Sequence, residues 1–238
     1  MARLTWDNSS ERYFETGISH AVLYLMNDDG TYEDGVAWNG LIRVSEKHGG
    51  GEAIHVYADG QPFTDIYEYE TFNATIESYT YPDEFMLCDG FYPDADGALY
   101  FSLQDRKHFG LCYQTISGND TEGTEFGHKL HILYDCIAIP SEHEWSTIND
   151  SFDLSTFSWD ITTACIDYSD FKPTPLVVID STKITKAAIG KIESYLYGSN
   201  NSNPTLIRPE VVKELLSTHY LVTEEYEPIV FGTTRILV

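Results

Sequence analysis

Three clusters in this 238-residue chain hold residue types that could do chemistry. Asp94-Ala95-Asp96-Gly97 opens like a calcium loop, with two carboxylates one residue apart and a glycine that permits a sharp turn. The pattern stops there. A third oxygen ligand is missing, and the closing position that needs a bidentate Glu holds the shorter Asp105. His128 and His131 are three apart, and on a strand that spacing sends them to opposite faces, where they cannot share a metal. Ser141-Glu142-His143-Glu144-Trp145 has the residue types of an acid/base cluster. It lacks the HExxH spacing, and the chain contains no GxSxG elbow, GxxxxGK[ST] loop or GxGxxG motif. A fourth stretch, GNDTEGTEFG (Gly118 to Gly127), gathers Asp120, Glu122 and Glu125 near one another. With 38 carboxylates and eight histidines, such neighbours also arise by chance, and no named reaction can be assembled from them.

The elements that would carry these residues are mainly strands. Alternating or β-branched and aromatic runs cover His20 to Met26, Leu41 to Val44, Ala53 to Tyr57, Ala74 to Tyr79 and Leu99 to Leu103. Others cover Phe109 to Ile116, Lys129 to Ile139, Thr156 to Thr163 and Leu176 to Ile179. Turn residues separate them, including Asp59-Gly60, Asp89-Gly90 and Gly118-Asn119-Asp120. Asp65 to Phe72 alternates acids with aromatic or aliphatic residues and reads as a half-buried strand. The loop Gly118 to Gly127 then becomes the connection of an antiparallel pair. One helix is expected after Ser181 and Thr182, with Ile184, Ala188, Ile192 and Leu196 on one face and Gly198 as its stop. A short second helix follows in RPEVVKELLSTHY, starting at Pro209.

Composition bounds the remaining possibilities. The length suits one substantial domain, 1–238, and 42% of residues are apolar or aromatic, enough for a packed core. The four cysteines (Cys88, Cys112, Cys136, Cys165) lie more than twenty residues apart without a CxxC pair, and are expected to be reduced and partly buried. The first fifteen residues show no apolar leader, and no window of about eighteen apolar residues occurs, so a soluble protein away from the membrane is expected. Without a leader, the Asn-x-Ser/Thr triplets read as turn and strand chemistry.

Charge excludes more. Fourteen basic and 38 acidic residues give a net −24. Two like charges 10 Å apart in water repel by about 0.4 kcal/mol, and such repulsions add along a polyanion. A sequence-specific nucleic-acid binder is therefore excluded.

Several segments in order resemble the major tail tube protein of long, non-contractile-tailed (siphovirus) bacteriophages. They are TWD near the N-terminus, GVAWNGL (Gly35 to Leu41), VYAD (Val56 to Asp59) and FNATIESYTYPDEFMLCDG (Phe72 to Gly90). They continue with RKHFGLCYQTISGNDTEGTEFGHKLHILY (Arg106 to Tyr134), PSEHEWSTINDS (Pro140 to Ser151), FSWDITT (Phe157 to Thr163) and the KPTPLVVIDSTKI tail. The resemblance runs from about Leu4 to Leu216. It departs at the acidic loop Phe91 to Ala98 and in a C-terminal extension from about residue 220.

The resemblance implies a mainly β fold, a tail-tube-type β-sandwich or partial barrel with one flanking α-helix and a short second helix near the C-terminus. It implies a structural virion protein whose hexameric rings stack into a tube, with no catalytic residue, metal or cofactor. Its partners would be further copies of itself, the tape measure protein, and the tail tip and tail terminator proteins. DNA would pass through without adhering, and the protein would reside in the host cytoplasm until it entered the virion tail. Six copies at −24 give −144 per ring, and acids lining the bore would repel the genome. Glu68, Glu70 and Glu77 are the candidate lumen acids. Contacts between rings are expected from the loops Glu46 to Glu52, Tyr81 to Ala98 and Ser117 to Gly127. In those loops Asp83, Glu84, Asp94, Asp96, Asp120, Glu122 and Glu125 are the candidate contact residues. Two other readings stay open: a calcium-dependent β-sandwich binding module using Asp94 and Asp96, and an acidic hydrolase built on His143 with Glu142 or Glu144.

Overall fold

The computed structural model describes residues 4–9, 11–67, 70–145, 147, 154–168 and 171–223, with 218–223 as helical backbone only. The chain is mainly β. Strands β1 (Tyr13–Leu25), β2 (Val36–Trp38), β3 (Leu41–Gly49), β6 (Thr71–Ser78), β9 (Phe109–Asn119), β10 (Gly123–Ala138), β11 (Phe157–Thr163) and β12 (Leu176–Asp180) form one sheet. Its order is β2-β1-β9-β10-β11-β6-β3, every pairing is antiparallel, and β12 lies along β10 beside β11. Two hairpins stand apart from it: β4 (Ala53–Ala58) with β5 (Gln61–Tyr67), and β7 (Tyr92–Pro93) with β8 (Tyr100–Phe101).

The middle strands are apolar on both sides because two cores press on them. Along β1, Leu23 and Leu25 enter one core while Val22 and Tyr24 enter the other, and β9 divides Leu111 and Tyr113 from Cys112 in the same way. This two-sided demand explains why these strands read as near-continuous apolar runs.

The sheet curls. In a flat sheet β9 and β3, four positions apart, would stand about 19 Å from each other. Yet the Tyr113 hydroxyl on β9 donates to Glu46 on β3, and His131 on β10 reaches the same carboxylate. The sheet therefore wraps round the first core as a partial barrel. β1 makes the bend possible: its register shifts between Thr16 and Ser19 and again before Val22, at Gly17 (φ 67°) and His20 (φ 52°).

Helix α1 (Phe85–Cys88) plugs this barrel. Its Phe85 packs against Trp38 (ring centroids 4.5 Å), Trp159 (4.9 Å) and Phe109 (5.4 Å). The Trp38 indole N–H donates to the Thr80 carbonyl at 3.0 Å, so the ring is buried without an orphaned donor.

Helices α2 (Lys186–Leu196) and α3 (Pro209–Thr223) cover the second core. The cap of α2 lies four residues beyond the expected Ser181: Ser181–Lys183 is a separate 3-10 turn held by Asp180, and the Thr185 hydroxyl accepts from Ala188 N–H. Ile184 thus precedes the helix. Ala188, Ile192 and Leu196 are buried as expected, joined by Ile189, and Gly198 follows at φ 79°. The second helix does begin at Pro209, but at 15 residues it is longer than the first, with Val212 and Leu215 buried.

All nine expected strands coincide with observed ones. The run Asp65 to Phe72 is divided, however: β5 ends at Tyr67 and β6 starts at Thr71, in different sheets.

Candidate functional site

The β4–β5 hairpin projects as an arm. Apart from Val56, every residue of both strands is exposed. Ile54 (49% exposed), Tyr57 (65%), Phe63 (72%), Ile66 (53%) and Tyr67 (70%) make much of its surface apolar. They occupy both faces, because Ile54 and Ile66 are directly opposed while Tyr57 and Tyr67 belong to the alternate positions. An isolated two-stranded hairpin is at best marginally stable in water, and five large apolar side chains on one invite a second surface. The sequence signals this hairpin through Asp59-Gly60, both at positive φ, but a half-buried strand was expected at Asp65 to Phe72. The clue that distinguishes an arm is apolar residues at both parities of β4 and β5.

The residues expected to make contacts between rings lie in three turns: the β9–β10 tip, the segment before α1 and the β7–β8 turn. Asp120, Glu122 and Glu125 are exposed at the tip of the β9–β10 hairpin. There the Asn119 carboxamide oxygen accepts from the Thr121 and Glu122 amides, fixing the turn. The connection expected over Ser117 to Gly127 is thus present but shorter, since strands extend to Asn119 and resume at Gly123. Glu46 to Glu52 is likewise mostly strand, as β3 runs to Gly49. Asp83 and Glu84 are exposed just before α1.

Asp94 is half-buried and Asp96 exposed in the β7–β8 turn. The Asp94 carboxylate accepts from the Ala98 amide at 3.1 Å and the Leu99 amide at 3.2 Å, which makes it the organiser of that turn. Among the described residues no three His, Cys, Asp or Glu side chains converge as metal ligands.

Of the candidate lumen acids, Glu68 lies outside the described residues. Glu70 is exposed between the arm and β6. Glu77 lies on the β6 face opposite Phe72, Ala74 and Ile76, where it pairs with Arg43. That outward face also carries Asp160, which accepts from the Thr75 hydroxyl at 2.6 Å. With Arg43 and Lys47 on β3, its acids and bases are evenly matched over these strands.

A polar cleft of about 700 Å³ opens where the barrel's rim at β3 meets β1, β9 and β10. Glu46 sits within it, taking the Tyr113 hydroxyl and His131 Nδ1 (2.8 Å) on the same oxygen, while Thr115 Oγ1 lies 3.1 Å from His131 Nε2. The imidazole stacks on the Tyr113 ring at 4.7 Å. Burial raises the carboxyl pKa of Glu46, but the His131 and Tyr113 hydrogen bonds outweigh it and the net shift is downward. Burial, with the bond to Glu46, raises the Tyr113 hydroxyl. As expected, His128 points the other way, to Glu193 on α2 at 2.8 Å.

His143 is fixed by partners other than its acidic neighbours. Glu142 and Glu144 are exposed, whereas His143 Nε2 lies 3.2 Å from buried Asp89, out of hydrogen-bond alignment. Asp89 binds the Arg106 guanidinium at 3.0 Å, which also donates to the Ala138 and Cys88 carbonyls. The arrangement ties α1, the chain before β9 and the end of β10 together. Cys88, Cys112 and Cys136 are buried free thiols, as expected, but Cys165 is exposed. Burial pushes the Cys112 thiol up to about 12 and raises Cys88 and Cys136 as well.

No family model and no curated protein matches the chain. Solved structures do. One is the anti-feeding prophage cap (AFP tube terminating cap), at 8% identity and TM-score 0.31, covering 76% of this chain and 96% of that one. Another is the sheath/tube terminator of the PVC extracellular contractile injection system, at 8% identity and TM-score 0.31, covering 74% and 99%. The PVC sheath-tube complex is similar at 11% identity and TM-score 0.29, covering 68% and 88%. At these scores the similarities decide neither fold nor function, which have to be argued from the chain's own residues.

Proposed function

We propose that this chain is a tail tube subunit, a structural virion protein that assembles through its β4–β5 arm into stacked hexameric rings. The carrying observation is the arm: Ile54, Tyr57, Phe63, Ile66 and Tyr67 are exposed on a hairpin that its own subunit barely supports. Packing that arm on a neighbour covers the apolar surface and stabilises the hairpin in one step. Among the described residues β3, which leads into the arm, ends the sheet without a hydrogen-bonded neighbour on its far side, and a closed ring of sheets leaves no such edge exposed. The sequence resemblance to siphovirus tail tube proteins supplies the sixfold ring, the tape measure protein inside it, and the tip and terminator proteins at its ends.

In this reading the bore is lined by the outward face of β11, β6 and β3, since the opposite face is taken up by the core. Arg43 offsets Glu77 there, so repulsion of passing DNA falls mainly to Glu70, with Glu68 beside it in sequence. The hairpin tip with Asp120, Glu122 and Glu125 lies at a ring face. The test is self-association of the purified protein followed by sedimentation and negative-stain microscopy, with Phe63→Asp as the arm variant. Rings or tubes are expected from the parent and folded monomers from the variant. A parent that stays monomeric at every concentration and salt overturns the proposal, as does a variant that assembles like the parent.

A further inference from the structure

Of the nine asparagines in the chain, Asn39 alone precedes a glycine. Asn39 and Gly40 form the link from β2 to β3, both are exposed, and Gly40 takes φ 78°. Four other asparagines have their carboxamides held: Asn8 donates to Glu11, Asn27 to Thr31 and Asn203 to Asp34, while Asn119 accepts from the Thr121 and Glu122 amides. Among the described residues nothing is hydrogen-bonded to the Asn39 carboxamide, the Asn39 carbonyl or the Gly40 amide. That peptide unit and its side chain are free to rotate toward each other.

We propose that Asn39 is a self-modification site, which converts to aspartate and isoaspartate in the folded subunit and so marks its age. Asparagine is a chemically labile residue, and a following glycine has no Cβ to obstruct attack on it. The Gly40 nitrogen gives its proton to water and bonds to the side-chain carbonyl carbon of Asn39. The carboxamide carbon–nitrogen bond breaks, ammonia leaves, and a five-membered succinimide closes. Water then opens the ring at either carbonyl. Opening at the side-chain carbonyl gives aspartate; opening at the main-chain carbonyl gives isoaspartate, with the chain now running through the side-chain carbon. The net reaction consumes one water, releases one ammonium ion and adds one negative charge to the protein. It needs neither enzyme nor oxidant.

The link lies where an added atom is felt. On one side of it the Trp38 indole N–H donates to the Thr80 carbonyl at 3.0 Å. On the other side the Gly40 carbonyl accepts from the Tyr79 amide at 2.9 Å and from the Ser78 hydroxyl at 2.8 Å. Both ends are thus anchored on Ser78 to Thr80, and isoaspartate places one more main-chain atom between them. Trp38 is also the ring on which Phe85 of the barrel's plug packs, with centroids 4.5 Å apart. Isoaspartate in place of Asn39 therefore strains the corner that seats Trp38, whereas aspartate leaves the main chain as it was. The consequence belongs to the single subunit and holds whether or not the subunit assembles into rings.

The test is prolonged incubation of the full-length protein under native conditions at neutral pH, beside Asn39→Gln, whose longer side chain closes the corresponding ring far more slowly. Peptide mapping by mass spectrometry follows the conversion of each asparagine, and ion exchange separates the more acidic products. Asn39 is expected to convert several-fold faster than any other asparagine of the folded chain, and Asn39→Gln to stay unchanged at that position over the same period. The isolated isoaspartyl form should melt several degrees below the parent, and Asn39→Asp should melt with the parent. A folded protein that keeps Asn39 intact while the urea-unfolded chain converts overturns the proposal. So does an isoaspartyl form that melts with the parent.

Discussion

Truncating Phe63 to alanine separates self-association from folding. The side chain is 72% exposed on a hairpin that leaves almost all of its residues in solvent, so the monomer should change by no more than about 0.5 kcal/mol. Burying a whole Phe side chain is worth roughly 1.5–3 kcal/mol, and the exposed share of that is about 1–2 kcal/mol for each arm docked. A loss of that size weakens each contact about 5- to 30-fold. Sedimentation velocity over a concentration series measures it directly: Phe63→Ala should need about 5- to 30-fold more protein to assemble. Leu103→Ala, at 98% exposure but off the arm, serves as the control and should behave as the parent does. Equal assembly of the parent and Phe63→Ala, or a variant that melts several degrees lower as a monomer, would refute the reasoning.

Other consequences concern the folded subunit. Arg106→Ala leaves Asp89 as a buried carboxylate without its cation and should cost about 3–5 kcal/mol in urea denaturation; a change below 1 kcal/mol would show the contact to be ornamental. Glu46→Gln tests the cleft at the barrel rim. Since the Glu46 pKa is lowered on folding, its stabilisation is complete above the unfolded value near 4.5 and is lost as pH falls through the folded value. The stability gap between parent and Glu46→Gln should therefore be constant from pH 7 to about pH 5 and shrink below that, and a gap that widens in acid would reverse the assignment. A thiol reagent at neutral pH should label Cys165 alone in the native chain and all four cysteines after denaturation; rapid native labelling of Cys88, Cys112 or Cys136 would contradict their burial.

Local chemistry made the strands readable. Phe109 to Ile116 and Lys129 to Ile139 each carry enough β-branched and aromatic residues to announce a strand, and Asn119 and Gly123 announce the turn between them. What a single segment cannot encode is what lies on its other side. Glu46 looks like a loop acid until the sheet curls and brings Tyr113 and His131 onto it from strands more than sixty residues away. His143 looks like the partner of Glu142 and Glu144, yet chain folding gives it Asp89 instead. The arm was hidden for a related reason: alternation in Asp65 to Phe72 assumes one buried face, and β5 has none. The start of α2 lies beyond the expected Ser181 because caps compete, whereas α3 begins at Pro209 as its sequence signals. Ser181, Thr182 and Thr185 can all accept from a free amide, and Asp180 captures the first turn as a 3-10 segment, leaving Thr185 to begin α2.

Assembly is the central claim, and negative-stain microscopy of the concentrated full-length protein in 1 M salt tests it most directly. A net charge of −24 per subunit opposes association, and at that ionic strength the screening length falls to about 3 Å. Hollow tubes or rings of six are expected. A uniform field of monomers, with light scattering agreeing at the same concentration, would contradict the account.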